Sequence, residues 1–182
     1  MMRAADVLGV LRLLSDAGIA AWVDGGWGVD ALLGEQTREH NDLDLAINHF
    51  DAARYTEVMR AGGYRPKPTD AGTPRNFVMV DDAGREVDVH LVDLGVVVAV
   101  ADGIDVYGPN GLAYEVGALE AWGTIDGQRV PCCTAQFQVR SHSTYEPDFD
   151  DYRDVRALCE RFEIALPAIY ARFTREGEPR RP

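Results

Sequence analysis

The sequence predicts an α+β fold, in which a mixed β-sheet is flanked by helices and followed by a smaller C-terminal lobe. Three observations lead there. Helix-period apolar runs alternate with short apolar strands over the first third of the chain. Extended segments then follow one another across a hairpin turn, and beyond Asp102 the texture changes to Gly-Pro turns with two further amphipathic stretches. The expected division is a core over residues 1–105 and a lobe over 106–182.

Taken in order, Val7, Leu8, Leu11, Leu13 and Leu14 recur with helical spacing until Gly18 stops the run, and residues 19–23 read as a short buried strand. A glycine turn opens a helix over 27–33 that Gly34 ends, and the polar stretch 37–41 leads into a strand over 43–47. Residues 51–61 make another helix. After the turn-rich 62–74, segments 76–80, 86–94 and 96–100 are extended and join one mixed sheet, with Asp82-Ala83-Gly84 as the first hairpin turn. The lobe then holds a hairpin over 123–130 and helices near 134–143 and 149–162. Residues 178–182 form a polar, Pro-containing tail.

The chain has 182 residues, 46% of them hydrophobic, enough for a sizeable interior and a soluble globular protein. Lys and Arg number 18 against 30 Asp and Glu, and the net charge of -12 repels a nucleic-acid backbone. Nucleic acid is therefore not the expected partner. Three cysteines, two adjacent at Cys132 and Cys133, give neither a disulfide framework nor a CxxC or Cys/His zinc pattern, which fits a reducing cytoplasm. The apolar run 7–14 is cut by Arg12 and followed by Asp16, so it is neither a signal core nor a membrane span.

Asp42 and Asp44 stand two apart in a strand and so share a face, while Leu43 and Leu45 point to the core. Adjacent carboxylates repel unless a cation joins them, and magnesium takes oxygen ligands while leaving positions for substrate phosphates. A solvated strand edge is the plain alternative. Gly25 and Gly26 weigh against it: they follow a strand and open a helix, where backbone donors and the helix dipole favour a phosphate, 16 residues (42 minus 26) before the aspartates. A third carboxylate completes such a site and takes the proton of an attacking hydroxyl. In Glu86-Val87-Asp88-Val89-His90 the polar side chains share one face. Asp88, mid-strand, is preferred to Glu86, which lies nearer the turn, and His90 is read as a hydrogen-bonding neighbour. Arg38 and His40 are placed to hold a triphosphate; the alternative for Arg38 is a salt bridge with Glu35 or Glu39. Trp22 and Trp27 read as core.

The segments Gly25-Gly26-Trp27-Gly28-Val29-Asp30-Ala31-Leu32-Leu33-Gly34, Thr37-Arg38-Glu39-His40 and Asp42-Leu43-Asp44 resemble the lincosamide and aminoglycoside nucleotidyltransferases of the polymerase-beta-like nucleotidyltransferase superfamily. The likeness runs from about residue 7 to 90 and resumes more weakly at His142-Ser143-Thr144-Tyr145 and Asp151-Tyr152-Arg153-Asp154. It implies the nucleotidyltransferase fold and magnesium-dependent transfer of a nucleoside monophosphate, AMP first, from ATP or another NTP to a hydroxyl of an antibiotic. By this resemblance Asp42, Asp44 and Asp88 hold the metal, Asp88 is also the base, and Gly25, Gly26, Arg38 and His40 face the nucleotide. Glu86 and Tyr145 fall on the acceptor side. Asn41 departs from an aspartate common among relatives, and Asp148-Phe149-Asp150-Asp151 is acidic where similar proteins often carry a lysine. The expected acceptor is a lincosamide. An aminoglycoside is the alternative, favoured by Glu146, Asp148, Asp150 and Asp151, which could neutralise ammonium groups. A catalytically inactive nucleotide-binding or antitoxin-type module is the reading of another kind, and homodimerisation stays open.

Overall fold

The computed structural model describes residues 1–68, 75–100 and 103–176. The expected tail at 178–182 and part of the turn-rich 62–74 lie outside these residues. The chain begins with helix α1 (Ala4–Asp16), whose buried Val7, Leu8, Val10 and Leu14 form the stripe that its periodicity predicts. Strand β1 (Ala21–Asp24) runs directly into helix α2 (Gly25–Leu33), which Asp24 caps and Gly34 ends in the left-handed conformation. Strand β2 (Asp42–Asn48) passes through a 3-10 turn, His49–Asp51, into α3 (Ala52–Ala61). Then come β3 (Arg65–Lys67), β4 (Asn76–Val80) and β5 (Glu86–Val92), followed by β6 (Val97–Ala99), β7 (Asp105–Tyr107), β8 (Ala121–Ile125) and β9 (Gln128–Cys132). Helices α4 (Ala135–Ser141), α5 (Phe149–Phe162) and α6 (Ala171–Glu176) complete the described chain.

Seven strands form one mixed sheet in the order β3-β4-β5-β2-β1-β9-β8, parallel at β2/β5 and β1/β9 and antiparallel elsewhere. One face buries Val23, Leu43, Leu45, Ile47, Val87, Val89 and Leu91 with the apolar sides of α1 and α3. The other carries Ala46 and Val92 against Tyr114, Phe137 and Cys133. A third cluster joins α2 to α4 and α5 through Val29, Ala135, Val139, Tyr152, Val155 and Leu158.

Two expectations are corrected. The segment expected over 96–100 does not enter the main sheet; β6 pairs with β7 in a separate ribbon, and its own Val97 and Val98 are exposed, so nothing recruits it to a buried face. The hairpin expected in the C-terminal lobe is instead one end of the sheet. Strand β9 runs parallel to β1, the Cys133 N–H donates to the Val23 carbonyl at 2.9 Å, and Ile125, Val130 and Cys132 join the first core. Strands β3 and β7 were not anticipated, and α2 starts at Gly25 rather than residue 27.

Candidate active site

Three neighbouring strands set the site. Asp24 ends β1 opposite Asp44 of β2, and Asp44 lies beside Asp88 of β5, so three carboxylates stand abreast across the sheet. The alternation that sends Leu43, Leu45, Val87 and Val89 into the core sends Asp44, Asp88 and His90 to the other face. Ligand atoms of Asp44, Asp88 and His90 converge within 4.8 Å of one another. Asp42 sits at the exposed start of β2, outside that group, in register with Glu86, which is ion-paired to Lys67 at 2.5 Å.

Like charges this close disfavour ionisation. Burial pushes the Asp44 carboxyl up and the charges of Asp42, Asp24 and Asp88 push it further, with His90 opposing. Burial likewise raises Asp88, again against the pull of His90. Burial alone would lower His90, but the hydrogen bond and charge of Asp24 and the charges of Asp44 and Asp88 prevail and raise it. Asp24 ends below the usual carboxylate range: burial raises it, while His90, the Tyr114 hydroxyl and the Gly25 N–H more than offset that. The Asp88 Oδ1 atom is buried with no hydrogen-bond partner among the described residues. An oxygen-rich, electron-rich cluster with an unused carboxylate oxygen fits a hard divalent cation.

Facing this row is the turn that starts α2. Gly25 has a left-handed backbone, φ 57°, and a side chain there would collide with the Asp44 carboxyl, so glycine is required twice over. The Gly25 N–H donates to Asp24 Oδ1 at 2.9 Å, and Gln138 Nε2 of α4 donates to the Gly25 carbonyl at 3.4 Å. A side chain at Gly26 would meet the His40 ring and the Arg38 guanidinium. Trp27 is buried against His40, its ring centroid 4.9 Å away, as the core reading requires.

The carboxylates open onto a cleft of about 380 Å³, lined by Asp24, Gly25, Asp44 and His90 on one side and by Leu112, Tyr114, Phe137, His142 and Tyr145 on the other. Tyr114 stacks on Phe137 with centroids 4.5 Å apart, and its hydroxyl bonds both Asp24 and His90 Nδ1, the latter at 2.7 Å. Tyr145 is half-exposed and donates to Asp151 at 2.7 Å. Another cavity, about 340 Å³ between α1 and the β8–β9 hairpin, shares no residue with this cleft and contains no carboxylate, so the chemistry belongs to the former.

Sequence reasoning singled out Asp44, Gly25 and Tyr145, which line one cleft together with His90, and Asp88, which neighbours Asp44 and His90 without lining that cleft. It gave Asp24 no role although the residue precedes the glycines, and missed Tyr114 and Phe137, for which an irregular segment and a short helix gave no signal. Glu86 does not line the cleft. Arg38 is bound to Asp154 rather than to Glu35 or Glu39, and His40 is buried against Asp30.

Comparison with known proteins adds to this geometry. A family model described as Aminoglycoside-2''-adenylyltransferase matches residues 6–158. The lincosamide resistance protein of Staphylococcus haemolyticus is 26% identical over 153 residues, covering 82% of this chain and 89% of that protein. A 2''-aminoglycoside nucleotidyltransferase of Escherichia coli is 42% identical over 38 residues, 21% of this chain and 22% of that protein. Among solved structures, the lincomycin-bound lincosamide antibiotic adenylyltransferase LnuA aligns with a TM-score of 0.70 at 21% identity, over 90% of this chain and 99% of that one. ANT(2'')-Ia in complex with adenylyl-2''-tobramycin aligns with a TM-score of 0.62 at 19% identity, over 93% and 97%. The structural likenesses bear out the predicted nucleotidyltransferase fold.

Proposed function

The chain belongs to the aminoglycoside-2''-adenylyltransferase family, and from that premise we propose that it transfers AMP from ATP, or another nucleoside monophosphate from its triphosphate, to a hydroxyl of a lincosamide antibiotic. The observation that carries this is the row of Asp24, Asp44 and Asp88 with His90, of which Asp24, Asp44 and His90 line one cleft together with Gly25.

Asp44 and Asp88, with Asp42 at the solvent edge, are the residues that would hold magnesium, which when bound supplies charge neutralisation at the α-phosphate. The Gly25-Gly26 turn, at the N-terminal end of α2, offers the Gly26 N–H and the positive end of the helix dipole to the phosphates, the Gly25 N–H being taken by Asp24. Asp88 accepts the proton of the acceptor hydroxyl, its buried Oδ1 being free of other donors. The protein's contribution is positioning and electrostatics: pyrophosphate leaves in line while the cleft orients the acceptor.

The walls of the cleft favour a lincosamide over a polycationic aminoglycoside. They are aromatic and aliphatic at Leu112, Tyr114, Phe137 and Tyr145. The acidic residues that would meet ammonium groups are engaged elsewhere. Asp148 and Asp151 form the capping box of α5, Asp151 also accepts from Tyr145, and Glu146 pairs with Arg172. The buried free thiols of Cys132, Cys133 and Cys159 suit a reducing cytoplasm.

Incubation with ATP, magnesium and a panel of lincosamides and aminoglycosides, followed by mass spectrometry, tests the proposal. A lincosamide heavier by one adenylyl group (AMP less water) supports it. Nucleotidylated aminoglycoside alone would reassign the acceptor, and nucleotide binding with no product from either class would point to an inactive binding module.

A further inference from the structure

Both basic side chains that the sequence assigns to the triphosphate are engaged with buried carboxylates. Arg38 donates from Nε and Nη2 to Asp154 Oδ2 of α5, at 3.1 and 2.8 Å, and from Nη1 to the Glu39 carbonyl at 3.3 Å. His40 donates from Nε2 to Asp30 Oδ2 of α2 at 2.5 Å. The other Asp30 oxygen accepts from the Thr37 N–H at 3.0 Å and from its hydroxyl at 2.6 Å. Asp30 is 2% exposed, and His40 and Asp154 are each 3% exposed. The imidazole and the guanidinium close over Gly26, where no side chain would fit.

We infer that Arg38 and His40 are positioning residues, which brace the Gly25-Gly26 turn from behind and are anchored by carboxylates from two different helices, Asp30 of α2 and Asp154 of α5; neither is a ligand of the nucleotide. An Arg38 that turned to a phosphate would abandon a buried carboxylate, which is strongly unfavourable. His40, 3% exposed and held by Asp30, is not presented to one. Asp154 is thus the means by which α5, on the C-terminal side, sets the geometry of a turn from which it is 116 residues distant as counted from Arg38.

The inference rests on the nucleotidyl-transfer reading, and the test separates the two. KM and kcat are measured for the NTP and the acceptor in Arg38→Gln, Asp154→Asn, their double variant and Arg38→Lys. Binding of a non-hydrolysable ATP analogue with magnesium is followed by calorimetry, and folding is checked by circular dichroism. The two single variants are expected to raise KM for the NTP by similar factors, on the order of tenfold, and the double variant is expected to be no worse than either, because the pair acts as one unit. Arg38→Lys keeps the charge but loses the planar fork, and is expected to be impaired like Arg38→Gln. If Arg38→Gln loses the analogue while Asp154→Asn binds it within twofold of the wild type, Arg38 touches phosphate and the inference fails, whatever Arg38→Lys does. Should Asp154→Asn not fold, Asp30→Asn, which loosens His40 instead, takes its place: a raised KM for the NTP upholds the brace, and a near-wild-type KM overturns it. An unaltered chain that binds no nucleotide at all would overturn the nucleotidyl-transfer reading instead.

Discussion

The two faces of strands β2 and β5 are built on opposite terms. On one, Leu43, Leu45, Val87 and Val89 are fully buried among apolar neighbours, and each residue adds to the same core. On the other, Asp44 lies against Asp88 and Asp24, and the buried Oδ1 of Asp88 has no hydrogen-bond partner among the described residues. Like charges directly opposite one another across strands are destabilising, so one face gives up stability that the other supplies. A single two-residue period therefore serves both scaffold and chemistry, and changes one position apart along the strand should act on different observables.

The sharpest break of that contrast is Asp44→Asn. Turnover is expected to fall at least about a thousandfold, ~4 kcal/mol of transition-state stabilisation, with a thermal midpoint no lower than that of the parent chain because one repelling charge is gone. Wild-type-like product formation in a mass assay would remove the carboxylates from the mechanism. The adjacent Leu45→Ala should do the reverse, lowering stability by about 2–5 kcal/mol in a denaturant titration while activity per folded molecule persists at low temperature.

Magnesium should sharpen the comparison from the solution side. Saturation a hundredfold above Kd is expected to stabilise the unaltered chain by about 2.7 kcal/mol through mass action, and the gain should vanish in Asp44→Asn and Asp88→Asn; an equal gain in all three would place the ion elsewhere. Smallest of the four is Tyr114→Phe. It removes the hydroxyl shared by Asp24 and His90 and should cost about 1–3 kcal/mol, since a buried acceptor loses its donor. A neutral melt would show that the hydroxyl is dispensable to the cluster.

Much of this was legible in the sequence because it is local. The alternation in 42–47 and 86–91 set which side chains share a face, α5 was bounded as Phe149–Phe162, and the order of strand, paired glycines and helix placed the turn. What was hidden is non-local. Period and propensity say nothing of which strand lies beside which, so the parallel pairing of β9 with β1 and the isolation of β6 went unseen. The same holds for partners distant in sequence: Tyr114 meets Asp24 from 90 residues away, and Arg38 finds Asp154 rather than a neighbouring glutamate. Asp24 illustrates a third limit. Its value comes from capping α2 while lying beside Asp44, two relations that only the folded chain brings together.

Because β1 is flanked on one side by β9, which is synthesised well after it, the glycine turn stands on a ribbon with one open edge until that segment is in place. Translation that stalls before Cys132 would leave this edge free to pair with another chain. The step that completes the sheet also delivers α4 and Phe137 to the cleft, so the molecule gains its protected edge and an aromatic wall of that cleft in the same event.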